Sequence, residues 1–283
     1  PALGPRAAAI ARVAASTPTL IAVDSVEAVE AIRGAMDADP DAETIGVLVE
    51  VDLGMRRMGV SDAAAAAEVA RACGGSVAYR GITFYPGHVR DPVPDQDEGL
   101  ESLAAALDGI VTALGDEGLA PEIVSGGSTP TALRSHELPH VTEIRPGTYV
   151  YNDRTTEGIG ACERDHLAYT VLATVISTAV PGQAVVDAGS KALSSDPIRA
   201  PEKEGFGEML DRPGVTVTRM SEEHGILDLS ATDWRPKVGD RVRIVPNHVC
   251  VSVNLHPVMY GVRGWSVERT WRIEPRGWEI PEG

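Results

Sequence analysis

The chain has 283 residues, yet lysine occurs in it only three times, at Lys191, Lys203 and Lys237. Basic charge is carried mostly by arginine. Together with the abundant alanine and glycine, this fits a GC-rich coding bias, so the scarcity need not have a functional cause. Positive charge as a whole is also in short supply: 25 Lys and Arg stand against 41 Asp and Glu, a formal net charge of −16. Such a surface repels phosphate backbones, so nucleic acid is not an expected partner. No apolar run approaches the roughly 20 residues that a membrane-spanning helix needs, and no secretory pattern opens the chain. Cysteine appears three times, at Cys73, Cys162 and Cys250, an odd number at wide spacing. That fits a reducing cytoplasm better than a disulfide scaffold.

What remains is ordinary soluble-protein composition, long enough for one large domain or two. Up to about residue 150, apolar strand-like runs alternate with helix-like ones. "TLIAVDS", "TIGVLVEVD", "YRGITFYPGHV", "PEIVSGGST" and "VTEIRPGTYVY" read as five strands, with helices between them such as "VEAVEAIRGAM" and "SDAAAAAEVARAC". Asp24 and Ser25 are placed to cap the first of these helices, and Ser61 and Asp62 the second. Alternation of this kind predicts a parallel sheet whose C-terminal strand ends carry function. Beyond about 165 the texture changes to short strands separated by Gly/Pro turns, with no convincing helix. The expected architecture is therefore α/β plus all-β: a partial (β/α)8 TIM-type barrel with about five of its eight strands over 1–160, then a β-barrel or sandwich domain over 161–283.

Several stretches carry chemistry. In "SGGSTPT", Gly126 and Gly127 let the backbone present successive N–H groups, while Ser125, Ser128 and Thr129 add hydroxyls, which suits a phosphate. "RPGTY" offers a similar nest at Gly147, Thr148 and Tyr149. Either turn alone is more often just a turn; as a pair they favour phosphate. Arg57, in "GMRRMG", is a solvated loop arginine or one aimed at an anionic or phenolic oxygen. Tyr85 and His88 are rim residues or acid/base and cofactor groups. In "PNHVCVSVNLH", read as a strand, His248 and Cys250 would share a face. Both are good metal ligands, and two of them leave room for water or substrate. In isolation they are more often two core residues. "VVDAGSKALSSDP", with Lys191, is an ordinary turn or a loop over the site.

In this order, "VLVEVDLGMRRMGV", "YPGH", "SGGSTPT", "EIRPGTYVYND", "VVDAGSKALSSD", "EEHG" and "GDRVRIVPNHVCVSVNLH" resemble the D-threonine aldolase and D-serine dehydratase group. These are alanine-racemase-like, fold type III pyridoxal-phosphate enzymes. The resemblance implies pyridoxal 5′-phosphate at the barrel mouth, its phosphate held by Ser125 to Thr129 with Gly147 and Thr148. It implies that Arg57 faces the cofactor ring, that Tyr85 and His88 line the cofactor or substrate side, and that His248 and Cys250 bind a divalent metal over the cofactor. A histidine–cysteine pair suits zinc; a carboxylate in its second position would suit manganese or magnesium better. The substrate would be a small D-amino acid bearing a β-hydroxyl. It would be cleaved to glycine and an aldehyde, or dehydrated and deaminated, by a cytoplasmic homodimer.

One departure stands out. In this group the lysine that anchors the cofactor lies on the first barrel strand, and none of the three lysines is so placed. The opening "PALGPRAAAIARVA" resembles the segment after the third barrel strand. The expectation is a chain lacking roughly the first three βα units, aggregation-prone and inefficient as a catalyst by itself. Two other readings stand beside the lyase. One is a non-catalytic remnant that binds phosphate ligands. The other is a racemase, against which the histidine–cysteine pair argues, since racemases of this fold need no metal.

Overall fold

The computed structural model describes residues 3–39, 41 and 43–274. The chain divides into two compact units, with the division between Gly147 and Thr148.

The first unit is a four-stranded parallel sheet in the order β1 (Leu20–Val23), β2 (Ile45–Glu50), β3 (Val77–Phe84), β4 (Ile123–Gly126). Helices α1 (Pro5–Ala14), α2 (Val26–Asp37), α3 (Ala63–Ala72) and α4 (Asp97–Asp116) alternate with the strands. Residues 45–49 of β2 are all buried, as expected of a parallel strand covered on both faces. The amphipathic period of α4 turns Leu100, Leu103, Leu107, Ile110 and Leu114 into the same core. α3 is capped as its sequence suggests, Asp62 accepting from Ala65 N at 2.9 Å. At α2 the expectation half fails. Ser25 sits at the cap position without a side-chain bond, and Asp24 instead accepts from Gly59 N at 3.1 Å, tying the end of β1 to the loop after β2.

The fifth expected strand, at 141–151, does not form. Thr142 N and Glu143 N reach Val124 O, and Ser125 makes a single parallel bridge to Glu143. Pro146 then follows, which has no N–H to continue a ladder, and Thr148–Val150 turn into a 3₁₀ helix.

The second unit is a six-stranded antiparallel sheet in the order β7-β10-β5-β6-β9-β8. Its strands are β5 (Val171–Ser177), β6 (Gln183–Val186), β7 (Gly207–Met209), β8 (Val217–Met220), β9 (Gly225–Asp228) and β10 (Arg241–Pro246). The outermost two are joined through the Glu208–Thr216 bridge and the Phe206 N to Val217 O bond of 2.8 Å, so the sheet curls back on itself as a barrel. Val175, Ala184, Val186, Val217, Leu227 and Ile244 fill its interior. A separate hairpin, β11 (Val258–Arg263) with β12 (Ser266–Arg272), follows; the end of its expected second strand, from 275 on, lies outside the described residues.

Two helices break the all-β expectation, α6 (Ser190–Leu193) and α7 (Val249–Leu255), while α5 (Arg154–Gly158) stands near the start of the unit. The expected domain boundary at 160 also differs from the division at 147/148. Residues just before 160 are bonded into the second unit. Arg154 Nη1 donates to Asn247 Oδ1 at 2.6 Å, Thr155 Oγ1 to Asn247 O at 2.8 Å, and Val249 N to Asp153 Oδ2 at 3.0 Å.

Candidate functional site

The strand ends of the first unit bring together Glu50, Asp52, Met55, Arg57, Met58 and Tyr85 around a shallow pocket. The Arg57 guanidinium lies over the Tyr85 ring at 4.7 Å and 4.0 Å from Glu50. Burial pushes the Glu50 carboxyl above its ordinary pKa, with Arg57 and Arg145 pulling it back. Asp52 is shifted the other way. Burial would raise it, but the backbone N–H groups of Arg56, Gly54 and Met55 outweigh that and hold it below the carboxylate range. His88 packs against Gly54, and its Nδ1 is buried without a partner.

The "SGGST" turn follows β4. Ser125 is fully buried and its Oγ has no hydrogen-bond partner. Such an orphaned hydroxyl needs an explanation, and an absent ligand is one. A Cβ on Gly126 would meet the Phe84 ring at 2.2 Å, and Gly127 adopts φ 124°, so neither position accepts another side chain without strain. Ser128 is turned inward: its N–H donates to Thr131 Oγ1 at 3.2 Å and its hydroxyl contacts the same atom at 3.1 Å. Thr129 is buried beside it. Gly147 is exposed, with nothing crowding the place a Cβ would take. Arg145, which the sequence did not single out, bonds Thr83 Oγ1 and donates to Phe84 O at 3.2 Å.

In the second unit the expected strand at 246–256 stops at Pro246. His248 is the N-cap of α7 and Cys250 lies in its first turn. The alternating β-branched residues of "VCVSVNL" suggest a strand, yet tertiary contacts make a helix. Asp153 takes the N–H of Val249, Ser252 Oγ donates to Ala192 O at 2.7 Å, and Val249 and Ser252 are buried one turn apart. Strand alternation is therefore not what unites the pair; the helix start unites it instead. The Cys250 thiol and His248 imidazole are in hydrogen-bond contact, which is the main cause raising the histidine to about 9 and lowering the thiol. A depressed thiol pKa favours the thiolate, the metal-ligating form. His248 Nδ1 lies 2.6 Å from Asp196 Oδ2, and Thr148 Oγ1 lies 3.5 Å from Cys250 Sγ. Thr148, expected at a phosphate, thus sits against the cysteine; Tyr149 beside it is more than half exposed.

In "VVDAGSKALSSDP" the residue that reaches this cluster is Asp196. Lys191 is exposed and paired with Glu223 at 2.7 Å. Lys203 pairs with Glu157. Sequence reasoning missed Asp196, Asp153 and Asn247, whose only signal was to lie within quoted stretches. Among the described residues no three His, Cys, Asp or Glu converge as a complete metal cage; His248 and Cys250 are a two-donor set.

A family model described as alanine racemase, N-terminal domain, matches residues 3–155, and one described as a putative serine dehydratase domain matches residues 168–262. The chain is 32% identical over 268 residues to a 3-hydroxy-D-aspartate aldolase of Paracoccus denitrificans, covering 91% of this chain and 66% of that protein. It is 34% identical over 280 residues to a D-threo-3-hydroxyaspartate dehydratase of a Delftia species, covering 90% of this chain and 72% of the relative. It thus spans about two thirds of the length of these relatives. The crystal structure of a D-threonine aldolase from Filomicrobium marinum superposes with a TM-score of 0.83 at 30% identity, covering 95% of this chain and 73% of that one. Solved structures of D-threo-3-hydroxyaspartate dehydratase include a cysteine-to-alanine variant in a metal-free form and a histidine-to-alanine variant, the two substituted positions being two apart.

Proposed function

The chain belongs to the D-threonine aldolase and 3-hydroxy-D-aspartate aldolase/dehydratase family of fold type III, pyridoxal-phosphate-dependent enzymes, and on that premise we propose that it is a cofactor- and metal-binding lyase acting on D-β-hydroxy amino acids. The observation that carries the metal dependence is the placement of His248 at the N-cap of α7 with Cys250 in its first turn. The histidine and cysteine stand two apart, the spacing of the residues substituted in the dehydratase variants.

The residues present fit both groups. The unpartnered Ser125 hydroxyl and the narrow glycine turn beside it suit a phosphate. A thiolate and an imidazole nitrogen freed of its proton suit zinc, with two positions left for water or substrate oxygen. Bound there, the cofactor would supply an electron sink at the substrate α-carbon and the metal a Lewis acid at its β-oxygen.

The chain's own groups have separable tasks. The Ser125 hydroxyl and the Gly127 backbone would hold the phosphate, with Gly147 as a further backbone contact, while the Gly126 N–H is already given to Glu143 O at 3.1 Å. Arg57, clamped between Tyr85 and Glu50, keeps a fixed positive charge at the mouth and stops a ring from sliding. Tyr85 presents its exposed face to the same opening. His88 packs against Gly54 beside this opening, its Nδ1 buried without a protein partner. The proposed enzyme is a cytoplasmic homodimer.

The test is turnover by the full-length protein. D-threonine, D-serine and D-threo-3-hydroxyaspartate are supplied with pyridoxal phosphate, before and after chelation, followed by zinc, manganese or magnesium. The expected products are either glycine plus an aldehyde or a keto acid plus ammonia, lost on chelation and absent with the L-isomers. Metal-independent racemisation of an amino acid, or cofactor absorbance that no D-substrate changes, would refute the proposal. A non-catalytic remnant finds no support in the relatives named above, which are an aldolase and a dehydratase.

A further inference from the structure

We infer that Asp196 is the positioning residue of the metal pair, accepting the Nδ1–H of His248 so that Nε2 is the nitrogen presented beside the Cys250 thiol. This rests on the metal-dependent reading above and deepens it.

An imidazole ligates through one nitrogen, and the hydrogen bond made by the other decides which. In this unit the choice is already made: Asp196 Oδ2 lies 2.6 Å from Nδ1. The pair is not there for stability. The two side chains retain 37% and 32% of their exposure, and ion pairs so exposed contribute little to folding. Yet the surroundings hold Asp196 from several sides. Asn247, fully buried and immediately before His248, donates from Nδ2 to Asp196 O at 3.0 Å. The Asn247 side chain is oriented in turn by Arg154, whose Nη1 donates to its Oδ1 at 2.6 Å. On the other side Asp196 N donates to Ser194 Oγ at 3.2 Å. Ser194 is buried and adopts φ 72°, a left-handed conformation that is costly for a residue with a side chain.

The turn that carries His248 and the loop that carries Asp196 are therefore locked together by both backbone and side chain. What the lock delivers is one carboxylate on one imidazole nitrogen. It also adds a negative charge beside a histidine–thiolate pair, which suits a divalent cation.

The experiment strips metal from the full-length protein and titrates it with cobalt, then displaces the cobalt with zinc. Parent, Asp196→Ala, Asp196→Asn and Cys250→Ala are compared by the cobalt d–d bands, the thiolate-to-cobalt charge-transfer band and zinc affinity. The parent is expected to show both band types, and Cys250→Ala to lose the charge-transfer band. Asp196→Ala should keep that band with displaced d–d bands and bind zinc roughly 10- to 100-fold more weakly. Metal-free melting of Asp196→Ala should stay close to the parent's, as the exposed pair predicts. If Asp196→Ala fails to fold, Asp196→Asn decides, because it keeps an acceptor oxygen without the charge; its zinc affinity should drop about fivefold or more. Parent-like spectra and affinity in the folded Asp196 variants overturn the positioning role and leave the metal reading intact. A parent that binds no cobalt overturns both.

Discussion

Replacing Asp153 by alanine should destabilise the second unit far more than a loop carboxylate ordinarily would. Asp153 is 1% exposed and caps two helices at once. Its Oδ1 accepts from Thr156 N at 2.9 Å, closing the first turn of α5, and its Oδ2 accepts from Val249 N at 3.0 Å, at the first residue of α7. Thr156 and Val249 are both buried, so water cannot readily replace the lost acceptor. Leaving a buried donor unsatisfied costs about 1–3 kcal/mol, and loss of an N-cap about 1 kcal/mol. Part of this is returned, because burial opposes the charge on Asp153, as the upward push on its pKa indicates. The net expectation is on the order of 3 kcal/mol, or roughly 10 °C in Tm for a unit of this size. Asp153→Asn keeps one acceptor oxygen and should lose about half as much. Urea and thermal unfolding of the metal-free protein give both numbers. Because His248 and Cys250 stand at the start of α7, zinc affinity should fall with the cap. An Asp153→Ala variant within about 0.5 kcal/mol of the parent, the range of an uninvolved surface change, would refute the reasoning.

Two further outcomes follow from the first unit. Ser125→Ala removes a buried hydroxyl that has no partner, so stability without ligand should be unchanged or slightly higher. Pyridoxal-phosphate affinity should nevertheless fall roughly 10- to 100-fold, the worth of a hydrogen bond to a charged group; fluorescence titration beside a melting curve reads both. Glu50 has its pKa raised by burial, so the folded state holds its proton more tightly than the unfolded state. Its contribution to stability is present at low pH and is lost as pH rises through the raised value. Glu50→Gln should flatten that decline, and a pH series of unfolding midpoints identical to the parent's would contradict the assignment.

The four parallel strands and their helices were legible because their signals are local: continuous apolar runs for β2 and β3, a 3.6-residue period for α4, and Asp62 before α3. The strand reading of 141–151 failed because it crossed Pro146 and the division between the units. The reading of "VCVSVNL" failed for a different reason. Its alternation is that of a strand, and only the N–H of Val249 meeting Asp153, 96 residues earlier in the chain, turns it into a helix. His248 and Cys250 were found by residue type, and their closeness was expected for the wrong geometric reason.

Residue chemistry and order in the sequence were enough to identify the family and to single out the two-glycine turn and the histidine–cysteine pair as candidates, since these depend on which atoms a short stretch can offer. Only the tertiary structure decided that Thr148 sits against Cys250, that Ser128 turns inward, and that Asp196 rather than Lys191 is the residue of its loop that meets His248. Those outcomes depend on contacts between segments 3 to 102 residues apart, and which of them forms is settled by packing that no local pattern encodes.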